Sequence, residues 1–294
     1  MRISSTQIFN NLLAGIHQQQ QLQDLGNAKI ASGTRFQTPA QAGLDYKVSL
    51  DIRHAQSSVK GSLDAIRTAE NRLTLSQTML SDMDNVMKRA QALAVQHANG
   101  GLSANQRASA AVEVDHLITR FLNDANQQWQ GQSLFAGTAV DKPAFVQDPA
   151  TGVVTYNGNA QDRIVAITTT EQLVTNVRGD RTEFTDAFNA LKGLSDALKI
   201  NDVAGVQTAV GTLSTAADGM INVTTDVGGK LSALKFYKTS FQDMKYQLDK
   251  RLTAHEAVDI PAVVAQLSQS KIALQAAYGQ INQIKSLSLV NFLR

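Results

Sequence analysis

The sequence predicts a mainly α fold: an elongated helical bundle or coiled coil formed by paired N- and C-terminal segments, with a small antiparallel β insertion. Three observations carry this expectation. Apolar and small residues recur at alternating three- and four-residue steps over long stretches, the mark of helices packed along their length. Only four prolines occur in 294 residues, at 39, 143, 149 and 261, so the stretches between them are free to be helical. From about Thr138 to Thr182 the texture changes to short β-branched runs separated by turn dipeptides.

The first element is an arm reaching to Pro39. Nothing between Arg2 and Asp24 is formally ionised, and the segment is rich in Gln, Asn and Ser. Ile8, Leu12, Ile16, Leu22 and Leu25 supply its apolar stripe. Buried charge is costly whereas amides and hydroxyls can be satisfied by neighbours, so this composition suits an arm packed on all sides.

From Leu63 the three-four rhythm runs through Ile66, Ala69, Leu73, Ser76, Leu80, Met83, Met87, Ala90 and Ala94, and Asn99-Gly100-Gly101 ends it in a helical hairpin turn. A second helix is expected from Ser103 to Gln130, with Val112, Leu117, Phe121 and Leu122 inward and Trp129 anchoring its end. The β insertion follows, with strands expected at Val153 to Tyr156, Ile164 to Ile167 and Leu173 to Val177. Helix resumes near Glu183 and stops around Asn201-Asp202. A longer helix then runs from Val203 to about His255, with Gly228-Gly229 as a candidate interruption and Leu234, Phe241, Met244, Leu248 and Leu252 on its apolar side.

Asp259 reads as an N-cap with Pro261 in the first turn of the final helix. There Leu267, Ser270, Leu274, Ala277, Ile281, Ile284 and Ser288 repeat the rhythm, and no acidic residue follows Asp259. The expected organisation is terminal assembly arms at 1–42 and 258–294, a central helical bundle at 43–137 and 183–257, and an outer β projection at 138–182. Ile66, Leu73, Leu80, Met87, Phe121, Trp129, Phe241 and Leu248 are the expected bundle core. The expected assembly interface is Ile8, Leu12, Ile16, Leu22, Leu25, Leu267, Leu274, Ala277, Ile281, Ile284, Leu287 and Phe292.

A lone helix with one narrow stripe is marginal in water, because most helical stability in proteins comes from packing. The arms therefore read as segments that become solid on association. Each Leu or Ile buried there contributes about 1.5–3 kcal/mol against the entropy of ordering. A homo-oligomeric ring or filament is the expected product.

Function classes that depend on dedicated chemistry find no support. The 27 bases nearly balance 25 acids without a basic run, which argues against nucleic acid or an anionic membrane as partner. No apolar run approaches the roughly 20 residues that span a bilayer, and the N-terminus lacks the regions of a cleaved secretory signal. Cysteine is absent, which removes disulfides and thiol chemistry. The five histidines are scattered without metal-ligand spacing, and no nucleophile elbow, phosphate loop or zinc-protease motif occurs. No cofactor and no catalytic residue is expected.

The opening MRISSTQIFNN, the junction KIASGTRFQTPAQAG at 29–43, the stretch LAVQHANGGLSANQRA at 93–108 and the terminal SLVNFLR together resemble the flagellin superfamily. The resemblance covers roughly the first 140 and last 60 residues. Gly131, Leu134-Phe135-Ala136-Gly137 and Pro143-Ala144-Phe145 resemble the branch that joins hook to filament, whereas Gln41-Ala42-Gly43-Leu44 is nearer to filament flagellin. The resemblance implies a structural role on the bacterial flagellum, extracellular, after unfolded passage through the type III export apparatus. It also implies an export chaperone on the C-terminal region, and hook-associated protein 1 and flagellin as axial neighbours. A filament subunit is the nearest alternative, and a helical scaffold unrelated to flagella is the alternative of another class.

Overall fold

The computed structural model describes residues 2–139, 141–167 and 172–292, with side chains described for 7–139, 141–167 and 172–284. Helix α1 (Arg2–Ser32) is followed by a short α2 (Pro39–Ala42), then α3 (Leu44–His97) and α4 (Ala104–Ala125). Short strands come next: β1 (Gln128–Trp129), β2 (Gln132–Ser133), β3 (Phe145–Gln147), β4 (Val154–Tyr156), β5 (Ile164–Ala166) and β6 (Gln172–Val174). The chain closes with α5 (Thr182–Lys199), α6 (Val203–Glu256) and α7 (Ile260–Phe292). It forms two units, residues 1–58 with 244–294, and residues 59–243, whose limits fall inside α3 and α6.

In the unit of residues 59–243 one face of each helix supplies the core. Ile66, Leu73, Leu80 and Met87 of α3 are fully buried, as are Phe121 of α4, Leu191 of α5 and Leu213 of α6. Aromatic rings join the helices to the strands: Phe121 meets Phe188 edge-on at 4.8 Å, and Phe145 lies 5.3 Å from Phe188 and 5.6 Å from Phe184. Such pairs add roughly 0.5–1.5 kcal/mol beyond the area they bury. Phe241 and Trp129 are half-buried against this core. Leu248, also half-buried, falls in the other unit.

The β region consists of antiparallel hairpins, β1–β2, β3–β4 and β5–β6. The first was not expected from the sequence, which carried α4 on to Gln130, and strand β3 of the second was not expected either. Asn126 ends α4 instead: its side chain donates to the Phe145 carbonyl at 2.9 Å and accepts from the Phe145 amide at 2.8 Å, mimicking a strand pairing. Gln130 and Gly131 then take positive φ of 53° and 75°, the paired left-handed values that a two-residue type I′ hairpin turn requires.

Two other expectations change. Val112 is 57% exposed, because the buried stripe of α4 runs through Arg107, Ala110, Ala111, Val114, Ile118, Phe121 and Ala125 on the other side. The helix α6 also continues through Gly228-Gly229 without a break. Glycine costs about 1 kcal/mol in a helix interior, and the neighbouring Val223, Val227 and Leu234, fully buried, outweigh it.

The α3–α4 turn is tied by a cation. Ser103 and Gln106 form a reciprocal capping box at the start of α4. One turn on, the buried Arg107 donates to the carbonyls of His97 at 3.2 Å, Leu102 at 2.9 Å and Asn99 at 2.6 Å, and to Asn201 Oδ1 at 2.6 Å. It thereby holds the 97–102 turn and the α5–α6 turn in one network. Sequence periodicity passed over it because a charged residue on a helix normally faces water.

Candidate assembly surface

The unit of residues 1–58 and 244–294 is organised by the antiparallel pairing of α1 with α7. Gly26 faces Leu267 at close range: a Cβ at Gly26 would lie 2.7 Å from Leu267 Cδ2, so a side chain there would force Leu267 to shift. Polar contacts across the pair are made by amides and hydroxyls. Ser270 Oγ donates at 2.8 Å to Gln19 Oε1, and Gln20 Nε2 donates to the Tyr278 hydroxyl at 3.2 Å.

The helix breaks at the inner ends of α1 and α7 are stitched together. Thr34 and Ala257 form an antiparallel bridge, with the Arg35 amide donating to the Glu256 carbonyl at 2.7 Å and the Val258 amide to the Gly33 carbonyl at 3.1 Å. Arg53 Nη2 reaches both Glu256 carboxylate oxygens, at 2.7 and 3.0 Å. Asp259 Oδ1 accepts from the Ala262 amide at 3.1 Å, the capping bond that its position before Ile260-Pro261 calls for. Farther back along α6 in the same unit, Asp249 is held below its ordinary value, first by the hydrogen bond from Lys245 and further by Gln56.

Among the assembly residues named from the sequence, Ile16 and Leu274 are buried in the α1–α7 seam. Leu12, Leu22, Leu267, Ala277, Ile281 and Ile284 are half-buried, and Ile8 and Leu25 are exposed. The side chains of Leu287 and Phe292 lie outside the described residues. The structure adds positions that the three-four rhythm does not mark: Ile260, Val264 and Tyr278 are exposed and Ile272 is 66% exposed. They were missed because they sit off the stripe that the rhythm follows.

Charge is nearly missing from this surface. Asp24 and Lys29 on α1 and Lys271 on α7 are the formally charged residues among the described side chains of the two helices. Exposed Ile, Leu, Val and Tyr beside Gln, Asn and Ser, with so little charge, make a face that water covers poorly and another helix covers well. Among the described residues there is no group of acidic or His side chains able to hold a metal ion, and no helix is long and apolar enough to cross a membrane.

The family model for the bacterial flagellin N-terminal helical region matches residues 3–140. That match takes in a little less than half of the chain. The chain is 22% identical to flagellar hook-associated protein 3 of Escherichia coli over 98% of both chains, and 22% identical to that of Salmonella typhimurium over the full length of both. A flagellar filament core protein of Treponema maltophilum is 27% identical over 44% of this chain and 45% of its own. Solved structures share the fold: a flagellar hook-associated protein of Vibrio parahaemolyticus (TM-score 0.67, 18% identity, 74% of this chain and 100% of that one) and FlgL of Bacillus cereus (0.61, 23%, 69% and 99%). The fold expected from the sequence is thus the one observed: long paired helices with small antiparallel hairpins.

Proposed function

We propose that this flagellin-superfamily chain is a structural subunit of the bacterial flagellum that forms an adaptor layer between hook and filament. The observation that carries the reading is the exposed, apolar and nearly uncharged outer face of the α1–α7 pair. Full-length likeness to proteins named hook-associated protein 3 supports the junction role over that of a filament subunit, since the filament protein matches over less than half of the chain.

Residues 1–42 and 258–294 act as the assembly arms, residues 43–137 and 183–257 as the central bundle, and residues 138–182 as the projection. Copies of the chain pack their arms around a common axis, so that Ile8, Leu25, Val264 and Ile272 leave water. At about 1.5–3 kcal/mol for each such side chain, a few contacts per subunit suffice to hold a layer. Its neighbours are hook-associated protein 1 and flagellin, and a chaperone covers the C-terminal region during export. The site of action is extracellular, and the role is non-enzymatic.

Seeded assembly followed by electron microscopy tests this. The purified chain added to hook or filament seeds is expected to form a layer of limited length. Long filaments grown from the chain alone would overturn the junction reading in favour of a filament subunit.

A further inference from the structure

A cleft of about 410 Å³ opens within the unit of residues 59–243, between one face of α3 and the β1 and β5 strands. Its size lies in the range of small-molecule pockets, roughly 300–1,000 Å³. Ala69, Trp129, Ile164 and Val165 give it apolar walls, and Arg72 and Arg163 give it cationic ones.

Arg72 is the unusual member. It is 4% exposed, and its Nη2 donates to the carbonyls of Ser133 at 2.5 Å and Leu134 at 3.4 Å. Its Nε and Nη1 are buried without any hydrogen-bond partner. Arg163 gives Nη2 to Gln132 Oε1 at 3.2 Å, and its Nε is likewise buried and unpartnered. Neither guanidinium is ion-paired with a carboxylate among the described residues. Burial, and after it the positive charge of Arg163, lower the Arg72 pKa to about 10, which still leaves it charged at neutral pH. Two cations therefore share a partly desolvated cleft with several N–H donors unused. Buried charge in proteins is ordinarily paired, and an unpaired guanidinium is best satisfied by an oxyanion.

We propose that this cleft binds a carboxylate carrying an apolar body, the acid group meeting Arg72 and Arg163 and the body lying along Trp129, Ile164 and Val165. Two sources present this chemistry, a free organic acid and an acidic side chain flanked by apolar residues on another polypeptide.

Trp129 is the sole tryptophan of the chain, so its emission reports on the cleft. The full-length protein is titrated at constant ionic strength with hexanoate, with an N-acetylated, C-amidated Leu-Glu-Leu peptide, with hexanol and with inorganic phosphate. Hexanoate or the peptide is expected to shift the emission saturably, the tighter of the two identifying the source, while hexanol and phosphate do so at least tenfold more weakly. Arg163→Gln is expected to weaken that binding at least tenfold with an unchanged circular dichroism melt. Arg72→Lys, which keeps the charge but loses donors, is the second variant. Silence of both carboxylates, phosphate binding as tight as theirs, or undiminished affinity in Arg163→Gln would overturn the proposal and leave Arg72 as a clamp on the Ser133 and Leu134 carbonyls.

Discussion

The α1–α7 pair and the bundle of residues 59–243 are written in the same three-four rhythm, yet their outer faces differ in kind. On the bundle, exposed side chains carry ion pairs such as Arg89 with Glu113 at 2.5 Å and Lys199 with Asp115 at 2.9 Å. Exposed pairs of this kind contribute about 0–1 kcal/mol, so their importance is that they make the face at home in water. Across α1 and α7 no ion pair occurs among the described residues, and Ile272, Ile8 and Tyr278 stand exposed instead. Periodicity marks where a helix meets its first neighbour. The composition of the opposite face marks whether it needs a second.

The largest expected effect lies in the bundle. Phe121 is fully buried against Phe188, so Phe121→Ala is expected to cost about 3–5 kcal/mol in urea unfolding followed by circular dichroism. A loss below about 1 kcal/mol would mean that this core is not where the chain's stability resides.

A smaller effect, opposite in sign, is expected at Asp124. It sits in the last turn of α4, an unfavourable place for negative charge, and its Oδ2 is buried without a partner. Burial first and Asp82 second raise its pKa from 3.8, against a lowering by Arg120. With the folded value above the unfolded one, the folded state holds the proton more tightly. Stability from this group is therefore full below about pH 4 and is lost as pH rises through the folded value. Asp124→Asn is expected to stabilise the protein at pH 7 by on the order of 1 kcal/mol, with the gain vanishing in acid. Melting curves of both proteins from pH 3 to pH 8 measure it, and a gain that persists at pH 3 would point to something other than titration.

The smallest effect on the free chain carries the most weight for the comparison. Ile272 is exposed, so Ile272→Asp is expected to change the melting free energy by no more than about 0.5 kcal/mol while abolishing the seeded layer. A destabilised monomer would place Ile272 in the chain's own core. Normal assembly of the variant would remove this face of α7 from the interface.

Much of this was legible from residue order. The seam from Ile66 to Ala94, the turn at Asn99 to Gly101, the Asp259 cap and the runs that form β4, β5 and β6 follow from period and turn chemistry, which are local. Val112 was misread because an apolar residue among alanines does not say which side of α4 is covered. The β1–β2 hairpin was missed because Asn126 stops α4 by bonding to Phe145, a partner nineteen residues ahead.

What the sequence determined by itself is the alternation of buried and solvated faces along most helices, the two charge-poor ends, and the absence of any thiol or recognised metal or catalytic motif. Tertiary structure alone decided which stripes are consumed within the chain and which remain bare. It put Ile16 and Leu274 inside the α1–α7 seam and left Ile272 outside it. It buried Arg107 among the carbonyls of its turn, and brought Arg72 and Arg163 together in a cleft with no carboxylate among the described residues to pair them. The physical reason is that period depends on neighbours three and four residues away, whereas burial of a charge or exposure of an isoleucine depends on chain segments tens to hundreds of residues distant.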